Sequence, residues 1–380
     1  MQLQSIHWRM GIILFFMILT LPNKVLSQKI KIKSRYLNES RTVSIRLPDN
    51  YECSKATYPI ILVTDGGILF DYVKGLFIYN WDLYPDAILV GIDQLEREKE
   101  LVPMKETEET HENFFKYVND ELLNELKSNY RVNGINIIIG HSFGGYFSIK
   151  SLLKNNNINY AISISTTLWK KYGDNIYSEF SKKQPTENNF LYLGSAENDH
   201  KQIKNDLVKL NEYIEENKAF NIKSSLEEYP NEDHNSSILI GIRKGLLKLF
   251  KNWPTKISEK KWDEIYKYKK ASIFYNHFKD IPNKYKIIPS EEDYNSLGYY
   301  YLEQKKINKA IETFELNAKI YPCSSNAYDS LAEAYEINNE NKKALSNYKK
   351  ALKMEIKGDN DINSKQQYTN NIKRVKSKLR

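Results

Sequence analysis

The sequence predicts a doubly wound α/β domain with a mostly parallel sheet, followed by a small all-α domain. Three observations lead there. Short apolar runs alternate with amphipathic helical patterns over the first two-thirds of the chain. A glycine-flanked serine stands directly after one of those runs. A pattern of aromatic and small residues recurs once, 34 residues on, near the C-terminus.

In chain order, Arg9 precedes an apolar run from Met10 to Leu21, followed by Val25-Leu26-Ser27. The run falls short of the roughly 20 apolar residues of a membrane span. It reads as a secretory signal cut after Ser27, so residues 1–27 are expected to be removed and the protein exported, to a periplasm or beyond the cell. No stable membrane anchor is expected.

Arg41–Leu47 alternates polar and apolar residues, as a half-buried edge strand does. Tyr58–Thr64, Ala87–Ile92, Ile135–Gly140, Tyr160–Ile164 and Phe190–Gly194 are continuous apolar runs, suited to strands buried on both faces of a parallel sheet. Between them, Phe115, Val118, Leu122 and Leu126 recur at helical steps, as do Ile203, Leu207, Leu210 and Ile214. Strands separated by such helices make βαβ units. The first domain is therefore set at residues 28–251.

Residues 252–289, rich in Lys, Tyr and Trp, read as a helical connector. Beyond it, Tyr294, Leu297, Gly298, Tyr301, Ala310, Phe314 and Pro322 fit the tetratricopeptide spacing. Tyr328, Leu331, Ala332, Tyr335, Ala344 and Tyr348 repeat it, giving two repeats over 290–356. Residues 357–380 are expected to form a capping helix that buries Ile362, Ile372, Val375 and Leu379. The repeats offer a surface for a protein partner.

Composition narrows the function. A hydrophobic share of 41% supports a packed core. The charge of +8 comes from 56 basic residues scattered among 48 acidic ones, with no basic stripe, so no nucleic-acid partner is expected. Cys53 and Cys323 fall in different expected domains and outside any ligand-like cluster. A metal site is not expected, and neither is a disulfide between them.

The chemistry centres on Gly140-His141-Ser142-Phe143-Gly144-Gly145, which follows the apolar run Ile135–Ile139 and precedes a stretch able to form a helix, Tyr146–Lys154. That is the context of a nucleophile elbow, with Ser142 at a strained turn and glycines where side chains would collide. An α/β-hydrolase then places an acid and a histidine later in the chain. Glu197, just past the strand ending at Gly194, is the candidate acid, and Asp199 the alternative. His234, after the strand pattern Lys223–Tyr229, is the candidate base. The N–H of Phe143 and that of Gly67, with Gly66 as its neighbour, are the candidate oxyanion donors.

Together these residues resemble the esterase family that includes esterase D, feruloyl esterases, mycolyltransferases and the enterochelin-type siderophore esterases. The matching stretches are Leu62–Gly67, Leu89–Ile92, Asn129–Gly145, Ile162–Trp169 and Tyr229–His234. The resemblance implies Ser142 as nucleophile, His234 as base and Glu197 as acid. It also implies Asp65, Gly66, Arg97, His141 and Trp169 as substrate-contacting residues. Two departures stand out: Glu100-Leu101-Val102-Pro103 replaces an Asp-Leu-Thr-Pro-like run, and Trp169-Lys170 replaces Trp-Trp. They argue against a large aromatic siderophore and leave ester chemistry untouched.

The expected function is thus an exported serine hydrolase acting on a small-molecule or glycan ester, such as a siderophore or carbohydrate ester, without cofactor. Two alternatives share the sequence features: an inactive hydrolase scaffold whose repeats bind a partner, and an acyltransferase with the same triad.

Overall fold

The computed structural model describes residues 27–49, 51–79, 83–155, 157–169, 171–182, 189–250, 290–357 and 361–380. The expected signal segment, apart from Ser27, and the expected connector lie outside them.

Eight strands form one sheet. They are β1 (Gln28–Ser34), β2 (Glu39–Arg46), β3 (Tyr58–Thr64), β4 (Ile88–Ile92), β5 (Val132–His141), β6 (Tyr160–Ile164), β7 (Asn189–Ala196) and β8 (Ile222–Tyr229). Their order is β1-β2-β4-β3-β5-β6-β7-β8. Strands β3 to β8 run parallel, while β1 and β2 pair antiparallel with each other and β2 pairs antiparallel with β4. The expected edge at Arg41–Leu47 is corrected here. β2 lies one position in, and the true edge is β1, whose Lys-Ile-Lys-Ile alternation is the better edge pattern.

The continuous apolar runs are buried on both faces. Ile60, Leu62, Val90 and Ile138 point into one layer, and Ile61, Val63, Leu89, Ile137 and Ile139 into the other. Helices α1 (Gly66–Tyr79) and α8 (Ser237–Phe250) cover the second face. The first is covered by α2 (Arg97–Leu101), α3 (Glu108–Lys116), α4 (Leu123–Asn129), α5 (Phe143–Lys154), α6 (Lys171–Lys182) and α7 (Lys201–Glu216). The helical period Phe115-Val118-Leu122-Leu126 is buried as expected, through a π-helical stretch at Tyr117–Leu122 that joins α3 to α4.

Five further helices follow: α9 (Glu291–Glu303), α10 (Ile307–Ile320), α11 (Ser325–Ile337), α12 (Asn341–Lys357) and α13 (Ile362–Ser377). Ser290 and Asp293 close a capping box at the start of α9, which fixes where that helix begins. The small residues of the repeat are where helices meet. A Cβ at Gly298 would overlap the Phe314 ring, and Ala310, Ala332 and Ala344 are fully enclosed. In α13, Val375 is enclosed, Ile372 packs beside it and Tyr368 is the other buried residue, but Ile362 faces solvent, as does Leu379 just past the helix. Glu336 of α11 accepts from both Arg374 and Lys378 at 2.8 Å, pinning α13 across α11.

The cysteine expectation is overturned. Cys53 and Cys323 form a disulfide, with Cα atoms 5.1 Å apart. Beside it Lys55 N–H donates to Ile320 O at 2.9 Å. Sequence position separated the two cysteines by domain, yet the chain preceding β3 and the turn after α10 come together in space. That junction lies at the amino end of β3, so the helical unit docks on the sheet edge opposite the carboxyl ends of the strands.

Candidate active site

Strand β5 delivers Ser142 at its carboxyl end, and α5 starts at the next residue. Ser142 has φ 57° and ψ −115°, a strained backbone for a residue with a side chain. The neighbours enforce it. Ser142 N–H donates to Ile164 O at 2.9 Å, and Tyr146 N–H to Ser142 O at 3.2 Å. A Cβ at Gly140 would run into the Gly144 carbonyl, which explains the first glycine of the motif. Ser142 Oγ faces Thr167 Oγ1 at 3.4 Å.

His234 lies in the loop between β8 and α8, three residues before the helix starts. Its Nδ1 donates to Asp199 Oδ1 at 2.8 Å, the acceptor-only carboxylate fixing which nitrogen carries the proton. The Asp199 side chain is fully enclosed and that of His234 is 36% exposed. Burial alone raises the carboxyl, but hydrogen bonds from His234, Ser165 and the Ala196 N–H outweigh it and hold Asp199 below the usual range.

This corrects the expectation that Glu197 meets His234. Glu197 N–H is tied to Tyr229 O at 2.9 Å, and its exposed side chain accepts from Asn231 N–H at 2.8 Å. The chain then turns back, with Asp199 N–H on Ala196 O, and that turn carries the Asp199 carboxylate inward. The N-cap of α7 is His200, whose Nδ1 accepts from Gln202 N–H.

His141, expected beside the substrate, is also relocated. It is buried, its ring centroid is 4.6 Å from that of His234, and its Nε2 bonds His234 O at 2.7 Å. Burial, then the neighbouring His234 and Arg97, lower its pKa to about 4. Asp65 and Arg97 grip each other, Nε to Oδ1 at 2.6 Å and Nη2 to Oδ2 at 2.9 Å. Arg97 also donates to His141 O at 3.3 Å and lies over the Phe143 ring, 5.8 Å away. Asp65 is thus engaged by Arg97 instead of open to a ligand.

Phe143 opens α5 and Gly66 opens α1, so their N–H groups belong to first helical turns, which lack an intrahelical acceptor. Gly66 and Gly67 therefore stand at a helix start. Ile68 and Leu69 N–H both go to Asp65 O. Gly66 is buried and Gly67 exposed. Trp169, 48% exposed, has its ring 5.8 Å from that of His200. Ser237 was missed by the sequence reading, whereas Thr167 and Ser165 lie in the matching stretch Ile162–Trp169 but were given no individual role. Only the positive φ of Ser165, 45°, sets it apart, and that is invisible in sequence.

Residues 34–242, more than half of the chain, match the family model described as "Putative esterase". The chain belongs to this esterase family. Ester hydrolysis is accordingly its class of reaction. No curated protein matches the esterase in sequence. Among solved structures it is similar to an IroE-like serine hydrolase from Shewanella oneidensis, with TM-score 0.63 and 22% identity over 77% of this chain and 99% of the other. It is also similar to an uncharacterised protein from Capnocytophaga ochracea, with TM-score 0.58 and 18% identity over 93% of this chain and 100% of the other. A siderophore hydrolase from Aspergillus nidulans, EstB, gives TM-score 0.50 and 18% identity over 64% and 99%. At such identities the likeness is one of fold. The esterase's fold is shared, and in the second case the coverage extends into the helical unit.

Proposed function

We propose that this esterase is an exported serine hydrolase working through an acyl-enzyme, with Ser142 as nucleophile, His234 as base and Asp199 in the role first expected of Glu197. The observation that carries the reading is the His234–Asp199 pair at 2.8 Å on the sheet edge that presents the strained Ser142. Ser142 Oγ attacks the ester carbonyl and its proton passes to His234 Nε2, the nitrogen that Asp199 leaves free. The Phe143 and Gly67 N–H groups, unpaired by their helices, receive the developing oxyanion. His234 then protonates the leaving alcohol, and a water deprotonated by the same ring releases the acid. Oγ rests toward Thr167 and swings to the ring on attack; catalytic hydrogen bonds are often loose without substrate.

Export is supported by the Arg9/Met10–Leu21 pattern and by β1 starting at Gln28, next to the expected cut. The Cys53–Cys323 bridge suits an oxidising compartment. The helical unit reads as two tetratricopeptide repeats with a capping helix, supported by the 34-residue offset of its buried small residues; we assign it a protein partner. For substrate, siderophore and carbohydrate esters are the first choices.

Labelling the full chain with a fluorophosphonate probe tests the mechanism. Ser142 should carry the adduct, and Ser142→Ala should abolish it. Labelling undiminished in that folded variant would overturn the assignment. A screen of acyl lengths with feruloyl, acetyl-sugar and siderophore esters then names the substrate.

A further inference from the structure

One guanidinium spans the two loops that carry the proposed oxyanion donors. Arg97 Nε donates to Asp65 Oδ1 at 2.6 Å and Nη2 to Asp65 Oδ2 at 2.9 Å, while Nη2 also reaches His141 O at 3.3 Å. Asp65 and His141 hold matching places. Asp65 follows β3 and precedes Gly67 by two residues; His141 ends β5 and precedes Phe143 by two. The same guanidinium lies over the Phe143 ring, 5.8 Å from its centroid.

The loop after β3 needs such a hold. Asp65 has φ 53°, a left-handed backbone that a residue with a side chain keeps where its surroundings impose it. Its N–H is fixed on Gln94 Oε1 at 3.0 Å, and its carbonyl accepts from Ile68 and Leu69 N–H. The carboxylate is the remaining handle, and that side chain is 10% exposed. The two loops also touch. A Cβ at Gly144, in the first turn of α5, would lie 2.4 Å from Thr64 Oγ1 and 3.3 Å from Asp65 Oδ2.

Arginine suits the task as lysine would not. A planar guanidinium gives two N–H bonds to one carboxylate and still reaches a carbonyl, whereas an ammonium is a point charge. Arg97 is itself anchored from behind. Glu100, in the same short helix, is buried and bonded to Arg41 and to the Leu95 N–H. The charge matters as well as the span. A carboxylate two residues from an oxyanion donor opposes the negative charge that develops there, and Arg97 neutralises it.

Resting on the proposed triad, we infer that Arg97 is a positioning residue. Through Asp65 and His141 it fixes the separation of the Gly67 and Phe143 N–H groups, and so shapes the oxyanion site without binding the substrate.

The test reads kcat and KM for a small chromogenic ester in the full chain, with thermal unfolding of each variant alongside. It adds the Ki of a trifluoromethyl ketone, whose tetrahedral adduct on Ser142 places an oxyanion in the same site. Arg97→Met should lower kcat about 10- to 100-fold with KM changed less than about threefold, because small misplacements of the donors are costly. The ketone's Ki should rise by about the same factor. Arg97→Lys keeps the charge but cannot span the loops, so most of the loss should remain. Asp65→Asn should cost a similar factor, and combining it with Arg97→Met should cost little more than either alone. Full recovery by Arg97→Lys, losses that multiply in the double variant, or a raised KM at unchanged kcat would each overturn the inference, the last making Arg97 a substrate contact. If Arg97→Met does not fold, Arg97→Lys and Asp65→Asn decide by the same kcat and Ki criteria. Turnover surviving in Ser142→Ala would overturn the triad and the clamp with it. An inactive Ser142→Ala beside an unimpaired Arg97→Met would overturn the clamp alone.

Discussion

Asp199 and His234 lie 35 residues apart in sequence and meet at 2.8 Å, the carboxylate fully enclosed and the imidazole partly open. That asymmetry suits an acid that orients and a base that moves protons. It also decides which carboxylate matters.

Asp199→Asn should lower kcat for a simple ester by about 10²–10⁴-fold, as loss of a triad acid does elsewhere. Glu197→Gln, which keeps an acceptor for Asn231 N–H, should stay within about threefold of the parent. Side-by-side steady-state assays check the ordering. The reverse ordering would return the role to Glu197.

His234→Ala should remove most turnover, about 10³-fold or more, and His200→Ala should not. His200 caps α7 and faces Trp169, so its loss should register in the thermal unfolding of the chain and in KM. A large kcat defect in His200→Ala alone would reassign the base.

A chain ending at Phe250 and carrying Cys53→Ser should remain soluble and cleave a small chromogenic ester at a rate near the parent's. The helical unit docks at the amino end of β3, away from Ser142. A folded but inactive fragment would mean that residues beyond 250 complete the site.

Cys53→Ser in the full chain should lower the unfolding free energy by about 2–5 kcal/mol, the usual cost of losing a native bridge. kcat at 25 °C should be unchanged. Denaturant titration and a parallel ester assay measure both.

Glu336 gives a pH signature. Hydrogen bonds from Arg374, with Lys378 and Tyr348, lower its carboxyl from 4.5 to about 2 despite burial. A depressed folded pKa means that its stabilisation is complete above 4.5 and is lost as pH falls toward 2. Arg374→Met should therefore reduce the melting temperature at pH 7 and flatten the acid dependence between those values. Circular dichroism melts across pH 2–6 report it.

Much of the fold was legible because the sheet is buried on both sides. Tyr58–Thr64 has no polar face to hide its period, and the structure begins and ends β3 there. β1 escaped because its lysines read as solvent chain, although Ile30 and Ile32 alternate inward against β2. At the site, the motif around Ser142 and the loop position of His234 are local features. The choice between Glu197 and Asp199 is not, because a turn two residues long sets which carboxylate points inward, and its hydrogen bonds reach to β8. His141 was misjudged for the same reason. Its neighbour in sequence is Ser142, but its partner in space is His234.

The bridge between Cys53 and Cys323 carries a consequence for biogenesis. The two thiols are 270 residues apart, and the first is synthesised long before the second. All eight strands emerge while Cys53 is still reduced, so the sheet can assemble without waiting for oxidation. The bond can close only after α10 has been made and has found the amino end of β3. A sealed bridge therefore certifies a chain made past Cys323, while any product cut short before residue 323 displays an unpaired thiol at its base, open to mixed disulfides and to quality-control oxidoreductases.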